Sequence, residues 1–390
     1  MLKRINIEKG YLLLVILILG VWGGMNLVSM EINFNEAQET AIQKLLVGAI
    51  FLLTSAYVAL NRYIKVNLIG ILVCLLSFIF AVYRFLMLPP SLKVVSYFYQ
   101  PMRDLIFASM FLFVIVLARK SEELYNFFTS WFILAVLIMA FFYAKNWMSL
   151  NFNTNDEAHL CSSYIFLMVL PILLYNPHKW SHYLGFLIAG VAVFASFKRG
   201  GILAFVLASI AFLVVKELFI GRKFSKLIYL IVALILFAAV IWTVDNFMDN
   251  VISTRFLNIA DDGGSNRDVV WSATWNMIKE SDIDQLLFGH GYCTVILDSP
   301  EGFSAHNDFL EVIYDFGLFS FLLYVVLHIA LIRQIFRSIR LHNPDAAIMA
   351  FSYVVFFVVS MVSIIVLYFW FGFMALSWGL GCVSEEKLLK

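Results

Sequence analysis

Apolar runs of close to 20 residues recur along this chain, and they constrain its fold more than any other feature. A helix needs about 20 apolar residues to cross the hydrocarbon of a bilayer. By that ruler, candidate spans fall at 11–28, 41–60, 67–88, 102–118, 124–144, 159–175, 181–197, 201–219, 226–244, 309–332, 346–367 and 369–383. The break from Tyr368 to Gly372 is weakly polar, so the last two runs also read as one bent element. Composition agrees with the ruler. Of 390 residues, 62% are hydrophobic and 14% charged, with a mean hydropathy of +0.90, far outside the range of a water-soluble domain. The predicted fold class is an all-α polytopic membrane protein of about twelve transmembrane helices. The first run follows the basic stretch MLKRINIEK with no small-residue cleavage site after it, and it reads as a span rather than a cleaved signal.

Lys and Arg in short loops set orientation. With the N-terminus inside, alternate connections hold Arg62 and Lys65, Arg119 and Lys120, Lys179, then Lys216 to Lys226, Arg333 to Arg340, and finally Lys387 and Lys390. All fall on one side, which predicts that both termini are cytoplasmic. The other side receives EINFNEAQET, NWMSLNFNTNDEAH and one long hydrophilic segment from Asp245 to Asp308. The expected layout is nine helices over 1–244, a large outer loop with short helices over 245–308, and three helices with a cytoplasmic tail over 309–390. Connections of that length inside a compact protein are commonly functional. A net charge of +1, with basic residues scattered between apolar runs, gives no nucleic-acid footprint. Cys74, Cys161, Cys293 and Cys382 lack metal-ligand spacing, so neither a zinc site nor a disulfide framework is expected.

Cations outside the inside bias carry more information, because charge at membrane depth is costly. SFKRGG, residues 196–201, joins two apolar runs with almost no loop, so it predicts a tight helical hairpin presenting Lys198 and Arg199 at the outer edge. Gly200 and Gly201 would let a bulky head group approach the backbone. An arginine fork matches phosphate oxygens, and a snorkelling anchor is the plainer alternative. SNRDVVWSATWNMIKE, residues 265–280, has capping-box spacing from Ser265 to Asp268. Arg267 then falls in the first turn beside free backbone amides, above Trp271, Trp275 and Ile278, as a seat for a pyrophosphate or as part of an ordinary amphipathic helix. Arg84, Arg103 and Arg255 are further outer-side cations that can add positive field over a lipid-linked anion.

His306 stands directly before the apolar run at Phe309. Imidazole takes and returns a proton near neutral pH, which makes His306 the candidate base, with Asn307, Asp308 and Glu311 able to hold its ring or cap the helix. FGHGY, with Gly289 and Gly291, reads as a turn. The acids at Asp245, Asp249, Asp261 and Asp262 lack EF-hand spacing, and no nucleotide motif occurs.

KRGG at a hairpin, GSNRDVVW, LFGHGY and AHNDFLEVIYDFG together resemble the O-antigen ligase and O-antigen polymerase superfamily of bacterial envelope glycosyltransferases. The resemblance covers about residues 185–330, with Ser320 a mild departure from the ligase pattern. It implies a glycosyltransferase C-like fold in the inner membrane and a periplasmic active site without metal or cofactor. The implied donor is an undecaprenyl-diphosphate-linked oligosaccharide, held by Arg199 and Arg267, with His306 activating the acceptor hydroxyl. The acceptor is a lipid-linked repeat unit in a polymerase or the lipid A core in a ligase. Polymerase is the preferred expectation, ligase the alternative, and a transporter or flippase of lipid-linked glycans the reading from another class. A chain-length regulator is a candidate partner.

Overall fold

Inside lipid every backbone polar group must find its partner within the chain, and a chain of apolar runs joined by short polar links meets that demand as helices. The computed structural model describes residues 2–29, 41–61, 66–87, 99–149, 163–176, 178–196, 198–221, 242, 246, 263–300, 302–366, 368 and 370–388; no strand occurs among them. The helices are α1 (Leu2–Ser29), α2 (Ala41–Leu60), α3 (Leu68–Leu86), α4 (Tyr99–Lys120), α5 (Glu122–Trp131), α6 (Ile133–Ser149), α7 (Tyr164–Leu174), α8 (Lys179–Ala195) and α9 (Arg199–Leu213, continued by a π-helical turn over Val214–Ile220). Then follow α10 (Gly263–Glu280), α11 (Ile283–Phe288), α12 (Val295–Asp298), α13 (Asp308–Arg340), α14 (Ala346–Val362) and α15 (Trp370–Leu388).

Each expected span except 226–244 overlaps these helices, 124–144 across α5 and α6; 226–244, apart from residue 242, lies outside the described residues, as do Arg255 and residues 247–262. Seven helical stretches are long and apolar enough to cross a membrane, while Tyr164–Leu174, Lys179–Ala195 and Ala346–Val362 are shorter apolar helices. The chain is thus an all-α, multi-pass membrane protein. The run 124–144 is interrupted at Phe132, between α5 and α6. Ser121 caps α5 by accepting the Leu124 N–H at 3.3 Å, and Glu122 and Glu123 complement the positive end of its dipole. The last two apolar runs are separate helices, with residues 363–366 non-helical between them.

Side-chain links sort the helix ends into two groups. At one end Lys9 pairs with Glu123, Lys120 with Glu8, Arg119 with Glu386 and Arg337 with Glu385. At the other, Asn146 donates to the Leu27 carbonyl, Trp147 to that of Ala195, Tyr83 to that of Phe288 and Asn307 to that of Met361. The second end gathers the α8–α9 turn, helices α10 to α12 and the α14–α15 connection. Arg119, Lys120 and Arg337, three of the basic residues that the sequence assigns to one side, fall in the first group. Between the ends, Trp22, Phe107, Phe111, Phe128 and Phe166 are fully enclosed, while Phe78, Phe141 and Leu187 face outward, as suits a lipid surround.

Candidate functional site

The site is built on a break in α13. Gly317 has φ 76° and ψ 174°, a conformation open essentially to glycine alone, and it divides α13 into a short first segment and a long second one. Carbonyls freed by the break accept the N–H groups of His290, bonded to Tyr314 at 3.0 Å, and of Gly291, bonded to Asp315 at 3.0 Å. Gly289, at φ 80°, lies so close that a Cβ there would stand 2.2 Å from the Asp315 carbonyl oxygen, and one on Gly317 would stand 2.3 Å from that of Leu287. LFGHGY and YDFG therefore interlock backbone to backbone. His290 is spent on this joint: its ring stacks on Tyr314 with centroids 3.9 Å apart, and its Nδ1 donates to the Tyr314 carbonyl at 3.1 Å.

Asp308, Glu311 and Asp315 are spaced to share one face of the first segment, and all three are buried. Each carboxylate holds a different stretch of backbone. Asp308 accepts the N–H groups of Ile365 at 2.8 Å and Val366 at 3.4 Å, and the Tyr324 hydroxyl at 3.0 Å. Glu311 accepts the Ala305 N–H at 2.8 Å. Asp315 accepts from the N–H groups of Cys293, Thr294 and Val295 at 2.9, 3.0 and 3.1 Å. A buried acceptor satisfied this way rigidifies what it binds. Asn307 caps α13, its Oδ1 accepting from Phe309 at 2.9 Å and Leu310 at 3.3 Å. So Asn307 and Glu311 do not hold the His306 ring; they hold the backbone on either side of it.

Between those two anchors His306 adopts φ 48°, a left-handed conformation uncommon outside glycine. Among the described residues its ring makes no hydrogen bond. Burial first, then the positive charges of Arg267 and Lys198, lower its pKa from 6.5 to about 4. Its ring is therefore neutral at pH 7 and able to accept a proton. Lys198 and Arg267 come from the α8–α9 turn and from α10, and both lie near enough for their charge to act on this imidazole. Arg199 begins α9 one residue further on, half-buried and with interactions of its own. Of the paired cations in SFKRGG, Lys198 has a charge that bears on His306.

Two expectations change in detail. A Cβ on Gly200 would stand 2.8 Å from both the Tyr164 hydroxyl and a Val362 methyl, so this glycine seats α9 against α7 and α14 rather than admitting a head group. α10 starts at Gly263, two residues before the predicted cap Ser265, which moves Arg267 into the second turn. Its buried face runs through Val270, Thr274 and Ile278, and Arg267 extends that face by one turn while Trp275 stays 48% exposed at its edge. Ile278, Val295, Ala305 and Tyr314 form a small separate core, with Met277, Leu286, Leu310 and Ile313 around it. That core seats α10 over the first segment of α13, which places Arg267 on the His306 side.

Arg84 and Arg103 flank a cavity of about 70 Å³ lined also by Tyr292, Ser304, Glu311 and Tyr368. Arg84 is buried, its Nε bonded to Asp104 at 2.7 Å and its guanidinium 3.9 Å from the Tyr292 ring centre. Partner and ring together neutralise and fix it, so the Arg84–Asp104 pair adds little positive field. Asp104, Tyr292 and Asp315 are the residues that sequence reasoning missed; for Asp315 the spacing DxxExxxD on a helix start was the visible signal. Among the described residues no three His, Cys, Asp or Glu side chains are placed to hold a metal ion. The positive groups offered here are lysine and arginine.

This architecture defines a multi-pass membrane protein that gathers cations around one neutral imidazole at one end of its helix bundle. Residues 184–325 match the family described as O-antigen ligase, a span that includes Lys198, Arg199, Arg267, His306 and Asn307 but neither Arg84 nor Arg103. The match makes this part of the chain similar to that family. No curated protein matches the chain.

Proposed function

We propose that this protein is an inverting membrane glycosyltransferase that moves a glycan from undecaprenyl diphosphate onto an acceptor hydroxyl at the periplasmic face. Polymerisation of repeat units is the reading carried forward from AHNDFLEVIYDFG and LFGHGY. The ligase reading draws on the description of the matched family. The observation that carries the transferase reading is the neutral imidazole of His306 flanked by Arg267 and Lys198.

Diphosphate is a good leaving group once its charge is matched. Arg267 and Lys198, with Arg199 beside them, supply fixed positive charge where negative charge develops, in a setting partly closed to water. The acceptor oxygen forms a bond to the anomeric carbon as its proton passes to His306. The bond from that carbon to the phosphate oxygen breaks, and its electron pair leaves with the diphosphate. His306 then returns the proton to solvent. Attack opposite the leaving group inverts the anomeric centre. A flippase would use the same cations as a relay, but transporters place such groups near the bilayer midplane between repeated halves, whereas these cluster at one end of the bundle.

The test is the envelope glycan profile of a strain lacking the protein. Loss of long chains with a single unit still joined to the core is the polymerase outcome. Naked core with accumulated lipid-linked polymer is the ligase outcome, and an unchanged profile sinks the transferase reading. A reporter fused near residue 260 should register the periplasm.

The imidazole also makes a prediction in pH. The active form is neutral, so activity is lost only as pH falls through the pKa of His306. The acid limb of kcat/KM, which reports the free enzyme, should lie near pH 4 rather than 6.5. Bound diphosphate offsets the cations that lower the pKa, so the acid limb of kcat should lie at higher pH than that of kcat/KM. Replacing Lys198 or Arg267 by methionine should raise the kcat/KM limb. Coincident limbs near 6.5 in all forms would remove the electrostatic coupling.

A further inference from the structure

The cavity between Arg84 and Arg103 is separate from the cations at His306, yet it is tied to that histidine by two links. Ser304 lines it only two residues before His306, so their Cα atoms are at most about 7 Å apart. Glu311 lines it too and holds the Ala305 N–H at 2.8 Å. At about 70 Å³ the cavity well exceeds the ~10–15 Å³ that admits one water. Among the described residues the hydroxyl of Tyr292 is buried without a hydrogen-bond partner, in a residue only 1% exposed. A buried hydroxyl left unpaired costs stability, and a ligand that bonds to it restores the balance.

The charge pattern selects the class of ligand. Arg84 is already matched by Asp104, and the lining offers both donors and acceptors, with Arg103, Ser304 and Tyr292 beside Glu311. A neutral group whose hydroxyls both donate and accept suits this mixture of guanidinium donors, hydroxyls and a carboxylate acceptor beside two tyrosine rings. That is the chemistry of a sugar.

Resting on the transferase reading above, we infer that this cavity is the acceptor-sugar subsite, where Tyr292, Ser304 and Arg103 donate to the incoming sugar, Glu311 accepts from it, and the reacting hydroxyl is presented to His306. The donor glycan and its diphosphate lie on the other side of that histidine, with Lys198 and Arg267. The acceptor sugar can arrive on a polyprenyl diphosphate or on a lipopolysaccharide core; the hydroxyl chemistry is shared.

Tyr292→Phe isolates the claim, since it removes the unpaired hydroxyl and keeps the ring that packs against Arg84. The full chain in nanodiscs is given lipid-linked glycan extracted from a strain lacking the protein as donor. Acceptor is varied in two arms: a fluorescently labelled lipid-linked single unit, and core-only lipopolysaccharide. Loss of one such hydrogen bond should raise the apparent KM for acceptor roughly tenfold in the arm that is the true substrate. The KM for donor should stay at the wild-type value, and the thermal midpoint should not fall, because the hydroxyl removed has no partner in the folded protein. Ser304→Ala should raise the acceptor KM in the same arm. Acceptor dependence unmoved in both variants, or a shift in the donor KM instead, overturns the subsite while leaving the transferase reading in place. No transfer by wild type in either arm overturns that reading and this inference with it.

Discussion

Alanine at position 306 is expected to lower glycan transfer by about 10²- to 10⁴-fold, the range spanned by a general base, with the protein still inserted and folded. The separation of function from fold follows from the geometry. The His306 ring makes no hydrogen bond among the described residues, while the backbone around it is held by others: Glu311 grips Ala305, and Asn307 caps α13. Removing the imidazole therefore takes away the proton acceptor without loosening the segment that presents it. The one structural cost concerns φ 48°, which alanine tolerates less well than histidine. His306→Asn controls for it, because asparagine accepts the left-handed conformation but is no base. Both variants should bind lipid-linked donor as wild type does and transfer it at the same low rate. Transfer within a few-fold of wild type in the asparagine variant would eliminate His306 as the base, whatever the alanine variant did.

Gly317→Ala is expected to destabilise the folded protein by about 4 kcal/mol or more, enough to abolish accumulation of a monodisperse protein in detergent. Two penalties combine. At φ 76° and ψ 174° any side chain is strained, by roughly 1–3 kcal/mol. In addition the new methyl would stand 2.3 Å from the Leu287 carbonyl oxygen and 2.6 Å from the Gly289 nitrogen, and these are backbone atoms that cannot rotate aside. Relief requires LFGHGY to leave the break in α13, exposing the carbonyls of Tyr314 and Asp315 that it now satisfies. Gly302 provides the comparison: it has φ 66° with nothing within 4 Å, so Gly302→Ala meets only the backbone penalty, about 1–2 kcal/mol. Thermal unfolding of both variants followed by size-exclusion fluorescence ranks them. Equal midpoints would mean that the interlock of the two glycines contributes nothing to stability.

Much of this molecule was legible beforehand because membranes impose coarse rules. Length and apolarity of a run decide whether it can span, and basic residues decide which ends group together; Arg119, Lys120 and Arg337 do lie at one end, with Glu386, Glu8 and Glu385 as partners. Single residues at interfaces followed the same logic: His306, Arg199 and Arg267 stood out as polar groups where apolar ones were expected, and the charges of Arg267 and of Lys198, the neighbour of Arg199, act on the His306 ring. Arg84 stood out equally, but its charge is consumed by Asp104, a partner 20 residues away that no spacing rule pairs with it.

Side-chain direction was the illegible part. Lys198 and Arg199 are two adjacent cations in the sequence, and where each one's charge acts depends on how the start of α9 is seated. That seat has Gly200 close against Tyr164 and Val362, contacts between helices far apart in the chain. Likewise Asp308, Glu311 and Asp315 read as a helix start with scattered acids, whereas each grips backbone from a different segment. The sequence by itself determined the class of fold, the apolar spans and the basic ends, because these depend on transfer of local segments from water to lipid. Only the tertiary structure decided which polar groups pair and which remain for a substrate, because close packing lets each buried donor meet its acceptor in one three-dimensional arrangement alone.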